Sequence, residues 1–98
     1  VITDEDLDRI RCWNDFDDPE GWFSLAMEHW QSIPWVMKEI AGFDCAFVEY
    51  SCVTGGAADN ECIISAMQSN RYMWNSFWWQ STRGGRYQFR VEKNRFTL

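Results

Sequence analysis

Four cysteines, one histidine and a run of aspartates are the residues of this chain whose chemistry goes beyond packing, and their spacing limits what they can do. Cys12, Cys45, Cys52 and Cys62 are separated by 33, 7 and 10 positions. That spacing lacks the close pairs that wrap thiolates around a zinc ion, and His29 stands well apart from all four. No metal and no cofactor is expected. Cys52 closes a strand and Cys62 opens the helix after it, so the two could meet. Buried free thiols are nevertheless the simpler reading of a chain kept under reducing conditions.

Nucleophile and base chemistry is equally thin. His29 falls on the apolar side of its helix with Trp22, Ala26 and Trp30, the setting of a core or boundary histidine rather than of a general base. Asp15, Asp17 and Asp18 lack the glycine and terminal glutamate of a calcium loop, and helix capping already accounts for Asp18. Gly55-Gly56 precedes a helix as phosphate-binding loops do, but without the Lys-Ser/Thr pair, so it reads as a plain connection. No catalytic residue is assigned and no enzyme is expected.

Charge is more informative. The net charge of −6 is unevenly spread. Asp4, Glu5, Asp6, Asp8, Asp15, Asp17, Asp18, Glu20 and Glu28 face only Arg9 and Arg11 within the first 28 residues. From residue 62 onward Glu92 stands alone against Arg71, Arg83, Arg86, Arg90, Lys93 and Arg95. An acidic head is drawn to basic surfaces and repelled by phosphate, and a basic tail does the reverse, unless the two pair inside the fold. Arg83, Arg86, Arg90, Lys93 and Arg95, interleaved with Tyr87, Phe89 and Phe96, have the composition of a single-strand nucleic-acid surface. Strand alternation counts against it, because Tyr87 and Phe89 share a face with Val91 while Arg86 and Arg90 point the other way.

The elements that position these residues follow from periodicity. Thr3 with Asp4, Glu5 and Asp6 starts a short helix over about residues 4–14, its stripe made by Leu7, Ile10 and Trp13. Asp18 as cap and Pro19 in the first turn start a second helix. Its stripe, Trp22, Ala26, Trp30, Ile33, Met37 and Ile40, predicts either two segments over 19–31 and 33–41 or one helix kinked at Pro34. Residues 43–53 alternate, with Ala46, Val48, Tyr50 and Cys52 against Phe47, Glu49 and Ser51, and predict a half-buried strand. The central element is residues 60–82. On a wheel, Ile63, Ile64, Ala66, Met67, Met73, Trp74, Phe77 and Trp78 share one side, predicting a single long helix capped at Asp59 or Asn60 and closed by Gly84 or Gly85. A second strand follows, with Tyr87, Phe89 and Val91 opposite Gln88, Arg90 and Glu92, and Arg95–Leu98 can add a third.

Tyr72 and Trp79 break the pattern of that helix, two turns apart on its polar side. Either another element covers them, or they are an exposed aromatic pair made for a partner.

At 98 residues, 46% of them hydrophobic, the chain has the length of a single domain spanning 1–98 and too much apolar content for disorder. The expected class is α+β, with three or four helices on a two- or three-stranded sheet in the order ααα-β-α-β. The two long strands would run parallel if a right-handed crossover makes them neighbours. With no membrane-length apolar run and no signal peptide, a cytoplasmic protein is expected, and no membrane surface as partner. The functional expectation is a small acidic, non-enzymatic binding or inhibitor protein. It would use Asp4, Glu5, Asp6, Asp8, Asp15, Asp17 and Glu20 with Tyr72 and Trp79 to dock on a protein with a basic surface, such as a nuclease or nucleic-acid-handling complex. Immunity proteins and viral or phage inhibitors of host defence are the settings that suit those traits. The alternative is a single-stranded nucleic-acid-binding module built on the basic, aromatic C-terminal strand.

Overall fold

The computed structural model describes residues 2–41 and 46–92. Among them the chain runs α1 (Asp4–Arg11), α2 (Pro19–Glu28), β1 (Val36–Ala41), β2 (Ala46–Val53), α3 (Ala58–Ser69), α4 (Arg71–Phe77), β3 (Trp78–Thr82) and β4 (Arg86–Glu92). This is the expected α+β class with a larger sheet: four strands in the order β1-β2-β4-β3, every neighbouring pair antiparallel.

The N-terminal expectations hold in substance. The Thr3 hydroxyl accepts the Asp6 amide at 3.2 Å and opens α1. The Asp18 carboxylate accepts the Gly21 amide at 3.0 Å and opens α2, with Pro19 in its first turn. Both helices end a few residues earlier than their apolar stripes suggest. β2 and β4 show the predicted alternation: Tyr50, Cys52, Phe89 and Val91 are buried, while Glu49, Ser51, Gln88 and Arg90 turn outward, Glu49 opposite Arg90. The core on the inner face is aromatic. The Phe23 ring stacks on Tyr50 at 4.3 Å and 14°, and packs edge-on to Trp22, Trp35 and Phe77.

Three expectations are corrected. The predicted helix over 33–41 is instead strand β1, an edge strand on β2 with most of its residues exposed. Its stripe had been borrowed from α2, and Ser32 breaks the helix between them with φ of 69°. The single helix over 60–82 does not form either. Its first half starts at Ala58 without a side-chain cap, because Asn60 is fully buried and occupied elsewhere. The Asn60 amide donates to the Gln31 and Thr54 carbonyls at 2.9 and 3.1 Å, and its carbonyl accepts the Gln31 amide at 2.8 Å.

The break comes at Asn70. Its side-chain carbonyl accepts the Met73 amide at 3.3 Å and caps α4, while its amide group donates to the Ile10 and Trp13 carbonyls at 3.2 and 2.9 Å. One side chain thus restarts the helix and ties it to carbonyls at and just after the end of α1. After Phe77 the chain is extended. Trp78–Thr82 pairs with Arg86–Glu92, and Gly84 and Gly85, at φ of 96° and 81°, close a hairpin instead of a helix. That hairpin is also why β2 and β4 are antiparallel: β3 carries the chain back across the sheet before β4 begins. The two long strands, β2 and β4, are therefore not a parallel pair; the helical crossover through α3 and α4 instead joins β2 to β3, which run parallel with β4 between them. The suggested third strand at Arg95–Leu98, and Phe43–Cys45 of the predicted strand, lie outside them.

Candidate partner-binding site

A cleft of about 460 Å³ opens where α4 meets the β3–β4 hairpin. Its lining includes Phe16, Phe47, Tyr72, Trp78, Trp79 and Arg90, with Glu92 beside them. Each ring is placed by a local cause. Phe16 belongs to the Asp15-Phe16-Asp17 turn between α1 and α2. The Asp15 carbonyl accepts both the Trp13 indole N–H at 3.0 Å and the Asp18 amide at 3.1 Å, which fixes that turn. The Phe16 ring then lies against Tyr72 of α4, centroids 4.0 Å apart.

Trp79 is placed by a β-bulge. Trp78 pairs with Phe89 and Gln80 with Gln88, leaving Trp79 as the extra residue, and bulges of this kind re-aim a side chain. Its ring meets Arg90 on the outer face, with the guanidinium carbon 4.0 Å from the ring centroid. Phe47 flanks the same guanidinium at 5.9 Å, and Glu49 pairs with it at 3.2 Å. Arg90 is thus stacked and neutralised. Trp78 stacks on Trp74 at 15° and donates its indole N–H to Ser81 at 2.9 Å.

Tyr72 and Trp79 are 58% and 53% exposed, which rules out burial beneath another element among the described residues. They reach one cleft, one from a helix and one from a strand, so helical spacing has no part in bringing them together. Asp15 and Asp17 flank Phe16 in the chain and are exposed, as are Asp4, Glu5 and Asp8 on α1 and Glu20 at the start of α2. Asp6 is different. It accepts the Thr3 hydroxyl at 2.9 Å and faces His29 at 3.4 Å and Arg9 at 3.7 Å. The Thr3 hydroxyl, then His29 and Arg9, hold its carboxyl below the usual carboxylate range. Asp8 pairs with Arg11. The ion pairs of Asp6 and Asp8 thus stay within the acidic head, and no ion pair joins it to the basic tail among the described residues.

Of the basic residues of the nucleic-acid alternative, the three described ones, Arg83, Arg86 and Arg90, do not line one cleft. Arg83 is exposed in the hairpin turn, and Arg86 lines a separate, smaller depression with Ile33, Val36 and Lys38. Lys93 and Arg95 lie outside the described residues. Phe89 is buried and Tyr87 half-buried on the inner face, away from Arg90, as alternation required. Arg90 nevertheless finds rings, those of Trp79 and Phe47.

Sequence reasoning missed Phe16, Phe47, Trp78, Arg90 and Glu92 as lining of one site. The signal for Trp79 was present in the aromatic, β-favouring run Trp78–Thr82 set three residues before Arg86, with two glycines between. Nothing local announced that Phe16 would meet Tyr72.

His29 sits at the C-terminal end of α2 as a boundary residue facing Asp6. Cys12 and Cys62 are exposed free thiols, which corrects the expectation of burial for both, and Cys52 is a buried free thiol pushed up to about 12 by desolvation. Cys45 lies outside the described residues. Among those described, no cluster of histidine, cysteine or carboxylate could hold a metal ion, and no helix is long and apolar enough to cross a membrane. No protein-family model, curated protein or solved structure matches the chain.

Proposed function

We propose that this chain is a small non-enzymatic binding protein that docks its acidic, aromatic face on the basic surface of a partner protein and blocks that surface. The observation that carries the reading is the Phe16–Tyr72 ring contact. It ties the acidic Asp15-Phe16-Asp17 turn to the cleft that also exposes Trp79, which brings an acidic segment next to exposed rings. Exposed Tyr and Trp are the residue types that dominate interface energetics, and a rim of like charge speeds encounter with an oppositely charged partner. Nucleases and other nucleic-acid-handling proteins present such basic surfaces. An immunity protein or a phage inhibitor of host defence, acting in the cytoplasm, is the setting that combines these traits.

The test begins with recovery of a partner from host lysate at low salt and its loss at high salt. Association of the purified pair is then measured with Asp4→Asn, Glu5→Gln and Asp17→Asn combined. Charge steering predicts an association rate lower by about tenfold at low ionic strength, with dissociation little changed. An unchanged association rate rejects the acidic docking surface.

A second reading, single-stranded nucleic-acid binding, draws on the Arg90 guanidinium held between Trp79 and Phe47. The net charge of −6 and the Glu49 carboxylate already paired with Arg90 weigh against it.

A further inference from the structure

We propose that the cleft between Tyr72 and Trp79 seats one arginine side chain of the protein partner, its guanidinium against the exposed rings and its N–H groups on the Glu92 carboxylate. This rests on the docking reading above and specifies what enters the cleft.

The cleft shows what its rings accept. Arg90, the chain's own guanidinium, already lies on Trp79 at 4.0 Å, and with it in place Trp79 is still 53% exposed. The Arg90 charge is answered by Glu49 at 3.2 Å, so it offers little opposition to a second cation. Glu92 lines the same cleft and has no ion pair among the described residues. Exposed ring faces and a carboxylate without an ion pair among the described residues together favour a cation.

Arginine fits better than lysine. Its planar, weakly hydrated guanidinium stacks on rings and meets a carboxylate through two parallel hydrogen bonds, whereas an ammonium is a compact, strongly hydrated charge. At about 460 Å³ the open cleft also exceeds what one side chain needs, leaving room for flanking residues of a partner chain.

The experiment uses the full chain labelled with ¹⁵N, with the indole N–H signals of Trp78 and Trp79 assigned through Trp→Phe variants. The probes are four: a Gly/Ser peptide carrying one arginine, the same peptide with lysine, the same with citrulline, and an oligothymidylate. The arginine peptide should shift the Trp79 indole signal saturably. The lysine peptide should bind several-fold more weakly and citrulline should have no effect. Glu92→Gln, at an exposed strand end, should weaken the arginine peptide about fivefold or more while leaving the circular dichroism spectrum unchanged. Indole signals unmoved by arginine, or moved equally by citrulline, overturn the proposal. A response to oligothymidylate alone also overturns it, making the cleft a base-stacking site. The two readings fail separately: a salt-sensitive partner that persists without arginine recognition removes only this inference. Arginine recognition with an association rate insensitive to the acidic head removes only the docking reading.

Discussion

At the scale of single residues, Tyr72 and Trp79 separate interface from core. Tyr72→Ser removes the ring contact with Phe16, and Trp79→Ser removes the contact with Arg90. Each should cost only about 1 kcal/mol, a fall of several degrees in melting temperature, because neither opens a buried cavity. Phe23→Ala, at the centre of the aromatic core, should cost about 3–5 kcal/mol in the same melts. Equal losses would place the two exposed rings in the core. Asn70 is the opposite kind of residue, polar and 7% exposed. Asn70→Ala removes the cap of α4 and the donor that reaches Ile10 and Trp13, and should cost about 2–4 kcal/mol. Asn70→Asp keeps the cap but turns a carboxylate toward those two carbonyls, so chemical denaturation should find it no better than alanine. A near-native Asn70→Asp would mean that the cap alone matters.

At the scale of elements, the decisive event is the change from helix to strand after Phe77. A helix over 60–82 would carry Phe77 and Trp78 on its apolar side and leave Trp79 on the polar one, whereas the observed chain ends α4 with Phe77 in the core and exposes Trp78 and Trp79 on a bulged strand. The glycines of the hairpin provide the test. Both have left-handed φ, and an added Cβ meets nothing at Gly84 but runs into the Thr54 hydroxyl at Gly85. Gly84→Ala should cost about 1–2 kcal/mol from backbone strain alone, and Gly85→Ala more. Unfolding curves that rank the two the other way would contradict the contact between this hairpin and the end of β2, where the Thr54 amide donates to the Gly85 carbonyl at 3.0 Å.

At the scale of the whole molecule, the ion pairs among the described residues leave the charge polarity of the sequence in place, since Asp6 and Asp8 pair within the head and Arg90 pairs across the sheet with Glu49. Asp6 links that head to pH. Its folded pKa lies below the ordinary carboxylate value, so the stabilisation it gives is fully present above that ordinary value and is lost as pH falls through the lowered folded pKa. Asp6→Asn should therefore flatten the acid limb of the stability curve below about pH 4 and leave the neutral region parallel to the wild type. An unchanged acid limb would exclude Asp6 from acid unfolding. What the sequence by itself determined were features that depend on neighbours a few positions away: the caps at Thr3 and Asp18, the alternation in β2 and β4, the polarity of charge, and the oddness of Tyr72 and Trp79. Strand identity at β1 and β3, the antiparallel order of the sheet and the cleft itself came from the tertiary structure. A short apolar run satisfies helix and strand patterns alike, and only pairing with a partner strand decides between them. Tyr72 and Trp79 share a site because the β3 bulge turns one ring outward and Phe16, far away in the chain, packs against the other, and neither contact has a local signature.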